Sequence, residues 1–267
     1  MLLEDKSIVI VGGSTGLGLS AARAFSRAGA RLVLVGRTEG SLRAAESEIS
    51  GEVRILCGDA MEESTAAEAI RLAKEAFGRF DGLYHVAGGS GRKWGDGPLH
   101  ELSLEGWRRT LDLNLTSLFL SNRAAVRQLL EDGTAGSVLN MGSVLGFSPS
   151  PHFFSTHAYA ATKSAIIGFT RSTAAYYATS GIRVNVLCPA LVETPMAQRA
   201  AEDATIQAFI RTKQPLEGGR MGRASDLDEA AVYFMSDGSR FTTGQVLSVD
   251  GGWSVSEGQL PRGEADA

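Results

Sequence analysis

Tyr159 and Lys163 lie four residues apart in a segment whose apolar pattern predicts a helix, so their side chains project from the same helix face. A tyrosine is a poor proton donor or acceptor at neutral pH because its ordinary pKa is about 10. A neighbouring ammonium group favours the phenolate, and we therefore expect Lys163 to lower the pKa of Tyr159. The pair predicts general acid/base chemistry with Tyr159 as the reacting group.

Ser143 and Asn114 are two further polar residues that could serve this chemistry. Ser143 follows the predicted strand 137–141, and at the ligand edge of a sheet its hydroxyl could donate to a substrate carbonyl. Asn114 lies between leucines in a predicted helix, and holding a water beside Lys163 would satisfy its buried amide. Singly, such residues have simpler explanations, because a strand-end serine is usually a turn or cap. Their combination indicates proton transfer at a carbonyl or alcohol oxygen.

A glycine-rich turn, Gly12-Gly13-Ser14-Thr15-Gly16-Leu17-Gly18, joins the first predicted strand to the first predicted helix. Such a junction binds anions because unpaired N–H groups and the helix dipole point at the ligand. We expect Gly12 to permit the tight turn, Gly16 to let the backbone approach a pyrophosphate, and Gly18 to let the helix pack on the strand. The turn thus predicts dinucleotide binding.

Short β-branched runs alternate with longer amphipathic stretches along the chain, which predicts βαβ units around a parallel sheet. The runs are almost continuously apolar, as expected when helices cover both sheet faces. The predicted strands are 7–11, 31–35, 53–57, 82–86, 137–141, 183–187 and 246–249, and the predicted helices are 16–28, 41–49, 64–77, 104–130, 157–179 and 224–234. We therefore predict one α/β domain over residues 1–257, a doubly wound parallel sheet, followed by a flexible tail at 258–267.

Two segments follow carboxyl ends of predicted strands, where open α/β sheets place their ligands. Residues 88–98 are glycine-rich, and residues 189–215 hold a short apolar helix between prolines, which predicts a mobile lid. Several large side chains in these and nearby loops either line a substrate pocket or fill subunit contacts, and the sequence leaves both open. They are Trp94, His152, Phe153, Phe154 and Met196.

The composition argues against several classes of function. The chain has 267 residues, with 26 Lys and Arg against 30 Asp and Glu and a net charge of −4, which gives no indication of nucleic-acid binding. No apolar run is long enough to cross a bilayer, and the N-terminal residues lack an apolar signal segment, which predicts a soluble cytoplasmic protein. Cys57 and Cys188 lie in apolar runs and are predicted to be reduced core residues rather than metal ligands or a disulfide.

With these motifs in this order, the chain resembles the short-chain dehydrogenase/reductase superfamily over about residues 5–253. The resemblance implies a Rossmann-type sheet of seven strands, a nicotinamide cofactor, no metal, and a homotetramer or homodimer. It gives Asp59 the role of accepting a hydrogen bond from the adenine amino group, whereas a helix N-cap is the alternative. The catalytic residues that it implies are Asn114, Ser143, Tyr159 and Lys163. The cofactor contacts that it implies are Gly12, Ser14, Thr15, Gly16, Leu17, Gly18, Arg37, Asp59, Ala60, Ala87, Gly88, Tyr159, Lys163, Pro189, Val192 and Thr194.

Four features depart from the family pattern. Val11 stands where a Thr is usual, His85-Val86-Ala87-Gly88 replaces Asn-Asn-Ala-Gly, and Ala190 stands where a Gly usually follows the proline. The distance in sequence from Ser143 to Tyr159 is also slightly longer than is typical. None of these departures removes a reacting group.

The end of the second strand bears on the choice of cofactor. NAD-preferring relatives place an Asp at the position of Gly36, whereas here Arg37 follows Gly36, and an arginine can hold a 2′-phosphate through charge-assisted hydrogen bonds. Thr15, in place of a second basic residue, and the nearby Glu39 favour NAD(H) instead. We predict that NADP(H) is favoured and that NAD(H) is possible.

The predicted function is NAD(P)(H)-dependent interconversion of a small-molecule secondary alcohol and a ketone. A 3-oxoacyl-acyl-carrier-protein reductase is an alternative, but the helix that carries Lys163 offers only Arg171 beyond it to an acidic carrier. Enoyl reductases of the same superfamily space their Tyr and Lys more widely. A nucleotide-sensing regulatory protein of the same fold is the non-enzyme alternative, and it should lack part of the catalytic set, which is complete here.

Overall fold

Seven parallel strands form one sheet with helices on both faces, as the sequence predicts. The structure, a computed structural model, describes residues 1–260, so residues 261–267 of the predicted tail lie outside the described residues. The strands are β1 Ser7–Val11, β2 Arg31–Gly36, β3 Val53–Cys57, β4 Gly82–His85, β5 Gly136–Met141, β6 Ile182–Pro189 and β7 Val246–Val249. The helices are α1 Gly16–Arg27, α2 Glu39–Ser47, α3 Glu63–Phe77, α4 Leu104–Leu111, α5 Ser117–Asp132, α6 His157–Tyr177, α7 Gln198–Glu202, α8 Ala204–Lys213 and α9 Asp228–Met235.

The strand order is β3-β2-β1-β4-β5-β6-β7. Strands β1 to β3 are added toward one edge of the sheet and β4 to β7 toward the other, so the topological switch point lies between β1 and β4. Val11 of β1 lies in register with Val35 of β2 and with His85 of β4, so the turn after β1 faces the ends of both neighbours. In open α/β sheets such a switch point opens a crevice outside the carboxyl ends of the strands, and ligands bind there.

Alternate residues of the central strands are buried on opposite faces, which explains their unbroken apolar runs. Ile8 and Ile10 of β1 pack in a cluster with α1, α2 and α9. Val9 and Val11 point to the other face and pack with α3, α5 and α6. Side chains alternate between faces along a strand, so a strand covered on both sides needs an apolar residue at every position.

The predicted helix 104–130 is interrupted, which the sequence pattern did not indicate. A π-helical turn, Asp112–Thr116, separates α4 from α5. The Asn114 side chain donates to the Thr110 carbonyl oxygen at 2.9 Å, the oxygen that its own backbone N–H would use in a regular α-helix. The ladder therefore shifts by one residue, and the Ser117 N–H donates to Asp112. Such turns often occur at functional sites.

Three other predictions differ in detail. The predicted helix 224–234 begins as a 3₁₀ turn, Ala224–Leu227, before α9. Cys57 was predicted to be a core residue and is exposed, because β3 is an edge strand; Cys188 is buried, as predicted. The segment 189–215 holds α7 and α8 rather than one helix, and its role as a lid stays a prediction.

Candidate active site

A cavity of about 660 Å³ opens at the carboxyl ends of the strands, on both sides of the switch between β1 and β4. Two of the residues predicted for the site, Gly18 and Asn114, lie behind its wall. The other predicted residues line it: Gly12, Ser14, Thr15, Gly16, Leu17, Arg37, Asp59, Ala60, Ala87, Gly88, Ser143, Tyr159, Lys163, Pro189, Val192 and Thr194. The fold therefore brings residues from the whole length of the chain to one surface.

The glycine-rich turn has the geometry that its spacing predicts. Gly12 has a φ of +90°, and a Cβ atom there would lie 2.7 Å from the Ala87 backbone nitrogen. A Cβ atom at Gly18 would overlap the Gly12 carbonyl oxygen, so this glycine lets α1 approach the end of β1. Gly16 has a φ of +53° and faces the cavity, and the N-cap residue Thr15 makes no side-chain bond to the first turn of α1. This cradle fits a pyrophosphate, which the N–H groups of the first helical turn can bind.

The ends of β2 and β3 form the part of the cavity where an adenosine would fit. A Cβ atom at Gly36 would lie 2.9 Å from Ser14 Oγ, so this position has little room for a side chain. Asp59 Oδ1 accepts the Met61 N–H at 3.0 Å, while α3 begins later, with Glu62 at its N-cap. The alternative role of Asp59 as the N-cap of the helix is therefore wrong, and the carboxylate lines the cavity.

Arg37 and Glu39 are two residues apart in the sequence, but their side chains have different surroundings. The Arg37 side chain lines the cavity, and within residues 1–260 it has no carboxylate within ion-pair distance. Glu39 instead accepts from Arg43 at 3.1 Å, one turn further along α2. The negative charge of Glu39 is thus paired with Arg43 outside the cavity. Its repulsion of a phosphate bound near Arg37 is therefore weaker.

Tyr159 and Lys163 lie on the same face of α6, and both line the cavity. The Lys163 ammonium is buried, donates to the Met141 carbonyl oxygen at 2.9 Å and lies 5.4 Å from the centroid of the Tyr159 ring. Burial lowers the pKa of Lys163 to about 8. Burial also raises the pKa of Tyr159 to about 12, and a hydrogen bond with Ser143 opposes this rise. Our expectation of a lowered tyrosine pKa is therefore wrong here, because desolvation of the phenolate has the larger effect.

Ser143 lies between β5 and a short 3₁₀ turn, at the ligand edge of the sheet. Its Oγ accepts the backbone N–H of Leu145 at 3.2 Å, which fixes the side chain and leaves the hydroxyl proton available. That proton can be donated to Tyr159, which lines the same cavity, or to the oxygen of a substrate bound there.

Asn114 acts on the backbone of the loop after β4. Its Oδ1 accepts the Gly89 N–H at 3.0 Å, and its Nδ2 donates to the Gly89 carbonyl oxygen at 2.9 Å. A Cβ atom at Gly88 would lie 2.7 Å from Asn114 Oδ1 and 3.8 Å from Lys163 Nζ, so the amide and the ammonium are neighbours. The π-helical turn thus holds the glycine-rich loop beside Lys163, and the water that we expected Asn114 to hold stays a prediction.

His85 is a buried residue whose role sequence reasoning missed. It occupies one of the positions where asparagines brace the sheet in the family, and its two ring nitrogens lie 2.7 Å from Ser121 Oγ and 3.5 Å from Ser117 Oγ. Burial, with a contribution from the charge of Lys163, lowers the pKa of His85 to about 3, so the ring is neutral. The two serines lie four residues apart on α5, a spacing that could have indicated a shared partner.

Asp96 is a second buried residue whose contacts the sequence pattern did not reveal. It lies in the loop 88–98 and is 2 % exposed. Its two carboxylate oxygens accept the backbone N–H groups of Ala158 and Tyr159, both at 2.9 Å. The residue lies more than sixty positions before its partners, so no local pattern could have indicated this cap.

The large side chains of the loops divide into those that line the cavity and those that do not, and their role in subunit contacts stays a prediction. Phe154 and Met196 line the cavity, whereas Trp94, His152 and Phe153 do not. Phe153 packs within the chain, with its ring 5.1 Å from that of Phe209. Sequence reasoning missed Trp253, Arg92, Lys93 and Arg199, which also line the cavity.

Two features typical of other classes of protein are absent from residues 1–260. No three side chains of His, Cys, Asp or Glu are grouped in an arrangement that could hold a metal ion. No helix in this part of the chain is both long and apolar enough to span a membrane.

Comparison with known proteins places this geometry among oxidoreductases. Residues 11–254 match the family model described as enoyl-(acyl carrier protein) reductase. The chain is 32% identical over 254 residues to 2,5-dichloro-2,5-cyclohexadiene-1,4-diol dehydrogenase of Sphingobium indicum, covering 95% of this chain and 98% of that protein. It is 34% identical over 260 residues to 2-(S)-hydroxypropyl-CoM dehydrogenase 3 of Xanthobacter autotrophicus, with the same coverage of the two chains.

A third relative and a solved structure agree with these matches. Cis-4-hydroxycyclohexanecarboxylate dehydrogenase of Sinomonas cyclohexanicum is 32% identical over 253 residues, covering 94% of this chain and 97% of that protein. A short-chain type dehydrogenase/reductase from Mycobacterium ulcerans superposes with a TM-score of 0.89 at 30% identity, covering 97% of this chain and 93% of that one.

Proposed function

Since the chain belongs to the short-chain dehydrogenase/reductase superfamily and is an oxidoreductase that acts on CH–OH groups, we propose that Tyr159 is the acid/base with which it interconverts a secondary alcohol and a ketone. The main support for this proposal is that Ser143, Tyr159 and Lys163 line the same cavity as the glycine-rich turn. The three relatives are named as dehydrogenases of a cyclohexadiene diol, a hydroxypropyl-CoM and a hydroxycyclohexanecarboxylate, all of which carry hydroxyl groups.

In ketone reduction, the Tyr159 hydroxyl donates its proton to the carbonyl oxygen, and the Ser143 hydroxyl donates a hydrogen bond to the same oxygen. The raised pKa of Tyr159 suits this direction, because the residue is protonated at neutral pH. In alcohol oxidation, the Tyr159 phenolate accepts the hydroxyl proton. A bound nicotinamide cofactor supplies or accepts the hydride. Lys163 holds a positive charge beside the tyrosine ring, which favours the phenolate when the alcohol is oxidised.

The cofactor proposed is NADP(H), with NAD(H) as the alternative. The cradle at Gly12 and Gly16 supports a pyrophosphate site, and two residues lining the same cavity, Asp59 and Arg37, supply an acceptor for an adenine amino group and a cation for a 2′-phosphate. A carboxylate at Gly36, which would oppose that phosphate, is lacking, and Glu39 is paired with Arg43. These contacts favour NADP(H), because a guanidinium binds phosphate through charge-assisted hydrogen bonds.

Two alternative reactions are less well supported. The matching family model is described as an enoyl reductase, but enoyl reductases have a longer spacing between their Tyr and Lys than the four residues from Tyr159 to Lys163. The named relatives, in addition, are dehydrogenases. A 3-oxoacyl-acyl-carrier-protein reductase would need a basic surface for an acidic carrier, and α6 offers only Arg171 beyond Lys163. Assembly into a homotetramer or homodimer and a cytoplasmic location remain predictions from the resemblance and the sequence.

A panel of cyclic and acyclic secondary alcohols and ketones, assayed spectrophotometrically with NADPH, NADH and their oxidised forms, tests the proposal. We expect turnover of at least one alcohol–ketone pair, with NADPH preferred over NADH in kcat/KM. The same panel should include an α,β-unsaturated thioester, whose reduction in preference to every ketone would contradict carbonyl chemistry. Nucleotide binding without turnover of any compound would favour a regulatory protein.

A further inference from the structure

Arg92 and Arg199 both line the cavity, and both reach the same backbone atom. Arg92 comes from the loop after β4, and Arg199 comes from α7. Their guanidinium groups donate to the carbonyl oxygen of Phe153, at 3.1 Å and 3.2 Å respectively. Because both bonds end on one oxygen atom, the two cations lie within two hydrogen-bond lengths of each other.

The charges of these two arginines are not balanced by a carboxylate. Within residues 1–260, neither Arg92 nor Arg199 forms an ion pair. Asp96 attracts Arg92, but both oxygens of its carboxylate are bonded to the start of α6. Of the described residues that line the cavity, Asp59 is the one carboxylate, and it lies at the adenosine end. Burial and the positive charge of Arg199 both lower the pKa of Arg92, so the pair is held together at an electrostatic cost.

The surroundings of the pair are those of a substrate rather than of a nucleotide phosphate. The pyrophosphate cradle and Arg37 come from the turn after β1 and the end of β2, whereas the two arginines come from the loop after β4 and from α7. Phe154 follows the residue whose carbonyl oxygen both arginines contact, and its ring lies 5.7 Å from that of Trp253, so two aromatic side chains form an apolar part of the cavity wall. An apolar wall that ends in two unpaired guanidinium groups is complementary to an apolar molecule with an anionic end.

We propose that Arg92 and Arg199 together bind an anionic group, a carboxylate or a sulfonate, carried by the alcohol or ketone substrate at a distance from the reacting carbon. This proposal rests on the proposed function and names the class of substrate for the same site. A guanidinium presents parallel N–H donors that match two oxygens of such a group, and a pair of guanidinium groups can bind its oxygens from two sides. Binding of the anion also removes the repulsion between the two cations.

The test compares two ketones of almost equal shape, 4-oxocyclohexanecarboxylate and its neutral carboxamide. We expect the wild-type enzyme to prefer the carboxylate by about tenfold or more in kcat/KM, the effect of one charged hydrogen bond. Arg92→Gln and Arg199→Gln should each bring this ratio toward one by raising KM for the carboxylate more than KM for the carboxamide. Arg211→Gln, on α8 and outside the cavity, is the matched control and should keep the wild-type ratio.

Binding measurements separate failure of this proposal from failure of the proposed function. Cyclohexanecarboxylate, which has no group to oxidise or reduce, should bind more tightly than cyclohexanecarboxamide in calorimetric titrations, and the difference should disappear in both glutamine variants. If no ketone is turned over, this measurement still decides whether the arginines bind an anion. Equal binding of the two compounds by the wild-type protein would overturn the proposal. So would a loss of NADPH affinity in the variants, which would assign the arginines to the nucleotide.

A sulfonate analogue of the same ketone distinguishes the two possible anions. The anion that the arginine pair fits better, carboxylate or sulfonate, should give the ketone with the lower KM in the wild type. The KM of that ketone should also rise more in the double variant Arg92→Gln/Arg199→Gln, because it loses the better contacts. A double variant that binds both anions as the wild type does would contradict the assignment. Thermal denaturation of each variant confirms that a loss of binding does not result from unfolding.

Discussion

The carboxylate of Asp96 accepts the backbone N–H of Tyr159 at 2.9 Å, so the loop after β4 is bonded directly to the residue proposed as acid/base. The same carboxylate accepts the Ala158 N–H, and the N-cap residue Thr156 provides no side-chain bond of its own. A negative charge at this helix end is stabilised by the helix dipole and by the two N–H groups. Asp96 therefore fixes the first turn of α6, and with it the position of the Tyr159 side chain.

Replacement of Asp96 by Ala should lower both stability and turnover. Loss of a buried charged cap should reduce the free energy of unfolding by about 1–3 kcal/mol, and displacement of α6 should lower kcat. Ser103→Ala removes the cap of α4, where the serine accepts the Gly106 N–H, and is the control for stability alone. Denaturation curves and kcat are measured for both variants. An Asp96→Ala variant that loses stability but keeps the wild-type kcat would exclude a positioning role.

Tyr159→Phe should leave nucleotide binding almost intact and reduce kcat by roughly 10²–10⁴-fold, the usual contribution of a positioned acid/base. The change removes one hydroxyl group and keeps the ring beside Lys163. Steady-state kinetics and a calorimetric titration with NADPH measure the two effects. A variant that keeps more than about half of the wild-type turnover would rule out Tyr159 as the acid/base, since such a loss is far below this range.

Lys163→Ala should weaken nucleotide binding as well as turnover, in contrast to Tyr159→Phe. We expect the ammonium to contact both the tyrosine and the nicotinamide ribose, because it lines the cavity beside the ring. Removal also leaves the Met141 carbonyl oxygen without its partner, so stability is measured in parallel. Lys163→Arg keeps a charge and serves as the comparison. Equal NADPH affinities in the Ala variant and the wild type would refute the dual role.

Alcohol oxidation should accelerate as the pH rises, whereas ketone reduction should not. Oxidation needs the Tyr159 phenolate, and the pKa of about 12 means that this form becomes more populated through the alkaline range. Reduction needs the protonated phenol, which already dominates at neutral pH. Profiles of kcat/KM between pH 6 and 10 in both directions, taken at saturating nucleotide, provide the measurement. Because Lys163, with a pKa of about 8, loses its charge in the upper part of this range, the interval from pH 6 to 8 is decisive, and an oxidation rate that falls there would contradict the proton-acceptor role of Tyr159.

Arg37→Ala should reduce the preference for NADPH over NADH by roughly 10- to 150-fold, since one charged hydrogen bond contributes about 1.5–3 kcal/mol. The ratio of kcat/KM values for the two nucleotides is compared between variant and wild type. Arg71→Ala, which removes an exposed arginine of α3 that pairs with Glu75 and lies outside the cavity, is the control. If the wild type prefers NADH and the Arg37 variant changes nothing, Arg37 does not bind a phosphate.

The sequence by itself determined the seven strands, most helix positions and the alignment of Tyr159 with Lys163. Each of these depends on residues close together in the chain, through apolar periodicity, glycine spacing or the helical repeat. For the same reason the turn at Gly12 and the strand-end position of Ser143 were accessible before the structure was known.

Only the tertiary structure decided which distant residues meet. The cap of Asp96 on α6 and the meeting of Arg92 with Arg199 join segments that no periodic pattern relates. The raised pKa of Tyr159 and the exposure of Cys57 likewise depend on burial, which the packing of the whole chain sets. Local spacing fixes which side chains share a face of an element, whereas contacts between elements and their desolvation arise only when the chain folds.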